Sequence, residues 1–240
     1  MLMQAFEEWL DTPRGQYLLA WEQHKFDLVV ADVFGYNAVQ VGLPGHDFLR
    51  NNRMPLRFHA SEEGGAVLCA PTELPFETQS LDLVVLPHVL EFADLPHQIL
   101  REVERVLVPE GSVIISGFNP FSLWGLRRGL AGNLGQMPWV GQYLSVPRLK
   151  DWLSLLSFET HAGAFGCYAP PVSTEPWLRR WSFMDAAGDR WWPFAGGAYM
   201  IQAIKRVQGM RLITPSWREA DSRKKAMVPV AQRSRNPSPR

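Results

Sequence analysis

Cysteine is scarce in this 240-residue chain. Cys69 and Cys167 lie far apart with no C-x-x-C spacing, which excludes a disulfide framework and offers no zinc-ligand pattern; both are read as small buried hydrophobes. No apolar run reaches the 18 or more residues of a membrane-spanning helix. The N-terminus, MLMQAFEEWLDTPRG, is acidic and polar where a secretory signal would be basic and then apolar, so a soluble, cytoplasmic protein is expected. There is no internal repeat, no G-x-S-x-G elbow, no P-loop and no H-E-x-x-H, which removes the simplest hydrolase, nucleotide and zinc-protease readings. Net charge is absent too, with 24 basic and 24 acidic residues. That balance hides an asymmetry: from Trp217 to Arg240 there are seven Lys or Arg against two acids, so the rest of the chain is mildly acidic. Pro, Ser and charge dominate this segment, which predicts a disordered basic tail over 217–240. A solvated extension is expected there, and nucleic acid is not an expected partner.

What is present is 46% hydrophobic residues, enough for one substantial core. The richest stretch runs from Leu74 to Ser116. Leu81, Leu83, Val84, Val85 and Leu86, interrupted by Asp82, suit a strand covered on both faces. Asp94 is placed to cap a helix that carries Pro96 near its start, with Ile99, Leu100, Val103, Val106 and Leu107 on its apolar face. Pro109-Glu110-Gly111 reads as a turn, and Val113-Ile114-Ile115 as the next buried strand. Together they make one βαβ unit.

The L-P-F before the first of these strands, its D-L-V-V core, the V-L-E after it and the R-V-L-x-P-x-G-x-x-I-I exit resemble the second half of a class I S-adenosylmethionine-dependent methyltransferase. Within that class the similarity is to the type 11 methyltransferase domain group. It is strong over Leu74 to Ser116 and weaker over the rest of Ala38 to Val207. The resemblance implies an α/β, doubly wound, mostly parallel sheet of the class I methyltransferase Rossmann-like kind. It also implies S-adenosyl-L-methionine as cofactor and a small-molecule substrate.

Around that unit the chain divides into a helical lead-in over 1–36, an α/β domain over 37–210 and the tail. Phe6, Trp9 and Leu10, then Tyr17, Leu18 and Trp21, have helical spacing, and Phe26 to Phe34 is read as helix. Ala38 to Val41 is the first strand. His46 to Met54 can hold about two helical turns. Pro55 to His59 and Ala66 to Cys69 are the next strand candidates, separated by a loop too short for an ordinary parallel crossover. Either they pair as a hairpin or one lies outside the sheet, so the first half of the fold looks abbreviated. Ser122 to Leu130 and a helix beginning near Pro147 follow, then two final strand candidates over Phe158–Cys167 and Ala198–Val207, which the resemblance implies are antiparallel neighbours at the end of the sheet. Two Trp-rich insertions, 117–145 and 169–197, hold Trp124, Trp139, Trp177, Trp181, Trp191 and Trp192. They read equally as a lid over a lipophilic or aromatic substrate or as an ordinary cap core or partner surface.

In the family the first strand ends in an acid and a glycine-rich turn, because backbone amides must approach the methionine part of the cofactor. Gly42 matches the first glycine, but Gln40 stands at the acid, Pro44 and His46 at later glycines, and Pro44 has no amide to give. Gly45 serves if the turn is shifted by one residue. The carboxylate that holds the ribose in the family is not matched by His59, and Glu62 and Glu63 read as solvated loop acids. Ala70 occupies the adenine-recognition position, leaving backbone contacts from Thr72, Glu73 and Leu74. Leu86, Pro87 and His88 close the fourth strand, where open α/β sheets bind ligands. His88 is either a ligand contact or a hydrogen-bonded loop histidine. It is the first trial for a general base and Tyr168 the second; the catalytic residue is otherwise unassigned. Asp82, His88, Glu91, Asp94 and His97 follow strand, loop and helix needs, and no metal is expected. Asn119-Pro120-Phe121 is similar to the N-P-P-[FY] signature of amino-methylating enzymes but follows the fifth strand where that signature follows the fourth, which argues for a turn.

The reading is thus an S-adenosylmethionine-dependent methyltransferase acting on a small, apolar or aromatic acceptor. The alternative is a degenerate methyltransferase-like fold serving as a non-catalytic interaction or regulatory module.

Overall fold

The computed structural model describes residues 2–131, 136–171, 181 and 183–207. The basic tail and Trp177 lie outside them. The described strands are β1 (Asn37–Val41), β2 (Leu56–Ser61), β3 (Val67–Leu68), β4 (Leu81–Pro87), β5 (Leu107–Phe118), β6 (Phe158–Gly166) and β7 (Ala198–Lys205). The helices are α1 (Leu2–Leu10), α2 (Pro13–Ala31), α3 (Val89–Phe92), α4 (Pro96–Val106), α5 (Leu123–Ala131), α6 (Val146–Leu155) and α7 (Phe183–Trp191). The strands form one sheet in the order β3-β2-β1-β4-β5-β7-β6. β7 is antiparallel to both its neighbours, and the other pairings are parallel. This is the doubly wound architecture expected.

Alternation within the buried strands divides the core. β4 sends Val84 and Leu86 to one face and Leu83 and Val85 to the other, and all four are fully buried. Ile99, Leu100, Val103 and Val106 of α4 join Leu149 and Leu153 of α6 on the first side. On the second side Phe6 and Leu10 of α1, Leu18, Phe26 and Val30 of α2, and Trp124 of α5 complete the cover. The lead-in helices therefore supply a layer of the sandwich. Their corner is fixed by Thr12, whose Oγ1 accepts from the Gly15 amide at 3.2 Å and donates to the Trp9 carbonyl at 2.7 Å. Any Cβ at Gly15 would run into the backbone of Trp9 and Leu10.

Several expectations are corrected. Residues 46–54 hold turns and no helix. Polar side chains there take the amides that a helix would use: Gln40 accepts from Phe48, Asp47 from Leu49 and Asn52 from Met54. β3 is neither hairpin partner nor outsider, since it pairs parallel to β2 through Ala60↔Val67 and Ser61↔Leu68. A two-residue strand needs only a short return, and Gly64 and Gly65, at φ 101° and 86°, let the chain reverse that tightly. β2 runs two residues past His59. Asp94 does not cap α4, whose N-cap is Leu95 with no side-chain bond. Pro109-Glu110-Gly111 lies inside β5, as residues looped out between the Leu81↔Leu107 and Leu83↔Ser112 pairings. Asp82 is a structural residue, because its Oδ2 accepts the amides of Tyr36 and Asn37 at 2.8 and 2.9 Å and so aligns the start of β1 with β4.

Candidate functional site

The end of β1 is organised by a buried Gln40. Its Nε2 donates to the carbonyls of Gly42, Leu43 and His46 at 3.1, 3.0 and 2.7 Å, while its Oε1 accepts the Phe48 amide at 2.9 Å. A carboxylate here could not donate to those carbonyls, so the amide side chain is matched to this turn. Gly42 sits at φ 83°, and a Cβ on it would lie 3.0 Å from Val89 Cγ2. The Gly42 amide is spent on the Ala60 carbonyl at 2.8 Å. The Gly45 amide donates to Glu7 Oε1 of α1 at 2.7 Å.

Beside this turn lies a cleft of about 390 Å³ at the carboxyl ends of β1 and β2 and the residues after β4. Gly42 and Pro44 form its floor, Ser61, Glu62 and Glu63 one flank, and Pro71 and Thr72 the rim. Val89, Phe92, Leu95 and Ile99 make an apolar wall, and the first turns of α1, through Leu2, Met3 and Glu7, cover it. Glu7, Glu62, Glu63 and Asp94 bring carboxylates to the lining, and among the described residues it has no Lys or Arg.

Deeper in, β4 ends at His88, a fully buried non-glycine residue at φ 54°. Its Nδ1 meets Glu91 Oε2 at 2.6 Å and its Nε2 meets Glu22 Oε1 at 2.8 Å. Glu91 Oε1 in turn accepts the Phe118 amide at the end of β5, and Glu22 Oε2 has no hydrogen-bond partner. Phe6 and Phe118 pack on the imidazole at 4.9 and 4.5 Å between centroids. Burial works against the imidazolium, but the two carboxylates outweigh it and hold its pKa up to about 10. Burial also pushes the Glu91 carboxyl up, against the pull of His88.

Of the residues expected at the site, Gly42 and Thr72 line the cleft. Gly45 is adjacent but its amide is occupied, and Glu73 is exposed with its amide on the Ala70 carbonyl. Leu74 and Leu86 are buried in the core, as is Pro87 at the strand end. His88 does not reach the cleft, because both ring nitrogens are taken inside the protein. Tyr168 is buried with its hydroxyl on the Pro193 carbonyl at 3.0 Å. Glu62 lines the cleft from the exposed bend that directly follows Ser61. Trp124 and Trp139 lie toward the carboxyl end of β5 but are buried in a ring cluster with Trp9 and Phe118. They are core there, whereas Trp191 and Trp192 are exposed.

The sequence profile of a family described as Methyltransferase domain, in its type 11 form, matches residues 49–115. The Escherichia coli (strain K12) protein named Uncharacterized protein YafS is 32% identical over 161 residues, which is 65% of this chain and 67% of that protein. The chain belongs to the class I S-adenosylmethionine-dependent methyltransferases. The fold agrees: a chain from the complex of the Haloferax volcanii Trm112 methyltransferase activator with a methyltransferase superposes at a TM-score of 0.60. That match has 13% identity and covers 87% of this chain and 99% of that one. A Thermotoga maritima S-adenosylmethionine-dependent methyltransferase does so at 0.57, with 15% identity, 85% and 99%. No helix among the described residues is long and apolar enough to cross a membrane.

Two outcomes follow from these networks. Gln40→Glu removes the donors facing three buried carbonyls and should cost about 3 kcal/mol or more, read as a lowered urea midpoint; a loss below about 1 kcal/mol would show that the turn does not depend on them. For His88 the folded pKa lies above the ordinary value of 6.5, so its stabilisation is complete below that pH and is lost as pH rises toward about 10. Glu91, also raised, carries the same sign. Unfolding free energy should therefore fall between about pH 7 and 10 with a slope of up to about 1.4 kcal/mol per pH unit. Glu22→Gln should flatten that slope; a flat wild-type profile contradicts the assignment.

Proposed function

We propose that the protein is an S-adenosylmethionine-dependent methyltransferase acting on a small, apolar or aromatic acceptor, with the cofactor held in the cleft beside Gly42. The observation that carries this reading is the cleft itself, an acid-lined, half-apolar hollow at the carboxyl ends of β1 and β2.

The residues present fit the group. Gly42 leaves the floor clear where a side chain would meet Val89. Glu62 would accept from the ribose hydroxyls, and Pro71 and Thr72 would border the adenine. The carboxylates of Glu7, Glu62 and Asp94 suit a ligand bearing a sulfonium and an ammonium. When bound, S-adenosylmethionine supplies an electrophilic methyl group. The chain contributes positioning and water exclusion, through Met3, Val89, Phe92 and Leu95, whose apolar surface also suits an apolar acceptor. His88 acts by holding the chain after β4, since its ring touches only protein. At the Gly45 amide, Glu7 stands where a ligand carboxylate would compete.

That contact, with the aromatic packing at the ends of β4 and β5, favours the second reading, a non-catalytic module. Calorimetric titration separates the two. Micromolar binding is expected, tighter for S-adenosylmethionine than for the uncharged-sulfur S-adenosylhomocysteine at low salt. Glu62→Gln should weaken binding about tenfold, and Gly42→Val should abolish it with the fold intact by circular dichroism. No heat or thermal shift from either compound, in the wild type and in Glu7→Ala, would leave the non-catalytic module as the reading.

A further inference from the structure

Asn119 is almost fully buried and joins two loops that reach the surface. Its Oδ1 accepts the Phe121 amide at 3.0 Å, and its Nδ2 donates to the carbonyls of Phe194 and Gly196 at 2.8 and 3.0 Å. The Asn119-Pro120-Phe121 motif thus ties the backbone at Phe121 to that at Phe194, and both phenylalanines are exposed, at 72% and 76%. Their surroundings are apolar as well. Leu123, Leu126 and Leu130 follow at helical spacing along α5 and are exposed, Leu130 at 80%. Trp191 and Trp192, also exposed, immediately precede the Pro193-Phe194 turn.

Isolated exposed apolar residues are ordinary, but seven on two segments that Asn119 ties together mark an interaction surface. Charge indicates the partner. α5 carries Arg127 and Arg128 and no Asp or Glu, although the folded body as a whole is mildly acidic. Arg127, exposed, lies between Leu126 and Leu130, with its Nη1 on the Pro171 carbonyl at 2.7 Å and its guanidinium 5.4 Å from the centre of the Trp139 ring. Asp185 of α7 is turned inward, accepting from the Tyr17 hydroxyl at 2.5 Å and the Tyr168 amide at 3.0 Å. Protruding Phe, Trp and Leu side chains flanked by Arg have the composition of a bilayer interface, where rings and leucines enter the acyl boundary and cations meet lipid phosphates.

We propose that this face, from Phe121 along α5 and across Trp191 to Phe194, docks on anionic lipid bilayers. The inference stands apart from cofactor binding.

The test uses the full chain with vesicles of phosphatidylcholine alone and of phosphatidylcholine mixed with phosphatidylglycerol, read by co-sedimentation and tryptophan emission. The mixed vesicles should retain the protein, with a blue shift, and raised salt should weaken retention. Leu126→Ser/Leu130→Ser and, separately, Phe194→Ser should each lower lipid affinity, the double variant by about tenfold or more, with melting temperatures unchanged. Failure of the wild type to bind either vesicle overturns the proposal. So does equal retention of the variants, which would move lipid binding to the basic tail. Self-association that these substitutions abolish, without vesicle binding, would make the face a contact between copies instead.

Discussion

The buried group of Glu22, His88 and Glu91 is the interaction on which the arrangement of the carboxyl edge depends. It joins α2, the end of β4, α3 and, through the Phe118 amide, the end of β5. A charged side chain withdrawn from water is costly unless it is paired, so losing any one of the three leaves the others stranded. His88 adds a second cost, since its left-handed backbone is disfavoured by about 1–3 kcal/mol. Both ring hydrogen bonds offset it. An imidazole held between two carboxylates cannot swing toward a ligand, which is why a loop histidine at the expected ligand-binding end of a strand acts here as a tie. With α2 anchored in this way, the Thr12 corner sets the direction of α1, and α1 becomes the cover of the cleft.

Gln40 solves a related problem at the neighbouring strand. The turn after β1 bends three carbonyls toward one point, and their mutual repulsion in a buried setting has to be answered by a donor. An amide answers it where an acid would aggravate it. The turn is consequently rigid by means unlike a glycine-rich loop: side-chain hydrogen bonds replace backbone freedom, and Pro44 and His46 become acceptable. The consequence for chemistry is that amides at Gly42 and Gly45 are committed within the protein. On the proposed function, recognition would pass to carboxylates and apolar surface.

The sequence made the second half of the fold legible because its signals are periodic. The β4 run, the α4 stripe and the β5 run each bury the residues their spacing selects. Gly42 and Thr72 were also legible, as positions following strands. What the sequence did not disclose rests on contacts between distant segments. Glu62 was hidden because the apolar pattern of β2 fades at His59, whereas backbone pairing with β3 carries the strand to Ser61. The turns at 46–54 were hidden because Gln40, Asp47 and Asn52 bond locally to amides that composition alone would assign to a helix. Met3 and Glu7 carried no mark of a cleft, as an amphipathic helix has the same pattern whether its remaining face meets water or a ligand. The asparagine of Asn119-Pro120-Phe121 was correctly a turn residue, but its bond to Phe194 spans an insertion that no local pattern connects.

The placement of α1 also constrains how a ligand reaches Gly42. Phe6 and Leu10 are fully buried and Trp9 nearly so, and exposing each would cost about 1.5–3 kcal/mol, so lifting the whole helix would consume much of the stability of a small domain. The first turn is different. Leu2 and Gln4 are exposed and Met3 half-buried, with no acidic residue in the first turn. Glu7 gives up a single charged hydrogen bond, worth about 1.5–3 kcal/mol, to release Gly45. Access therefore favours fraying of residues 2–4 and rotation of Glu7, with Phe6 and Trp9 remaining as the hinge. A ligand carboxylate that replaces Glu7 on the Gly45 amide recovers the bond it displaces. On the proposed function, ligand binding and local opening of α1 would be parts of one exchange, in which the protein's own acid and the ligand's compete for the same donor.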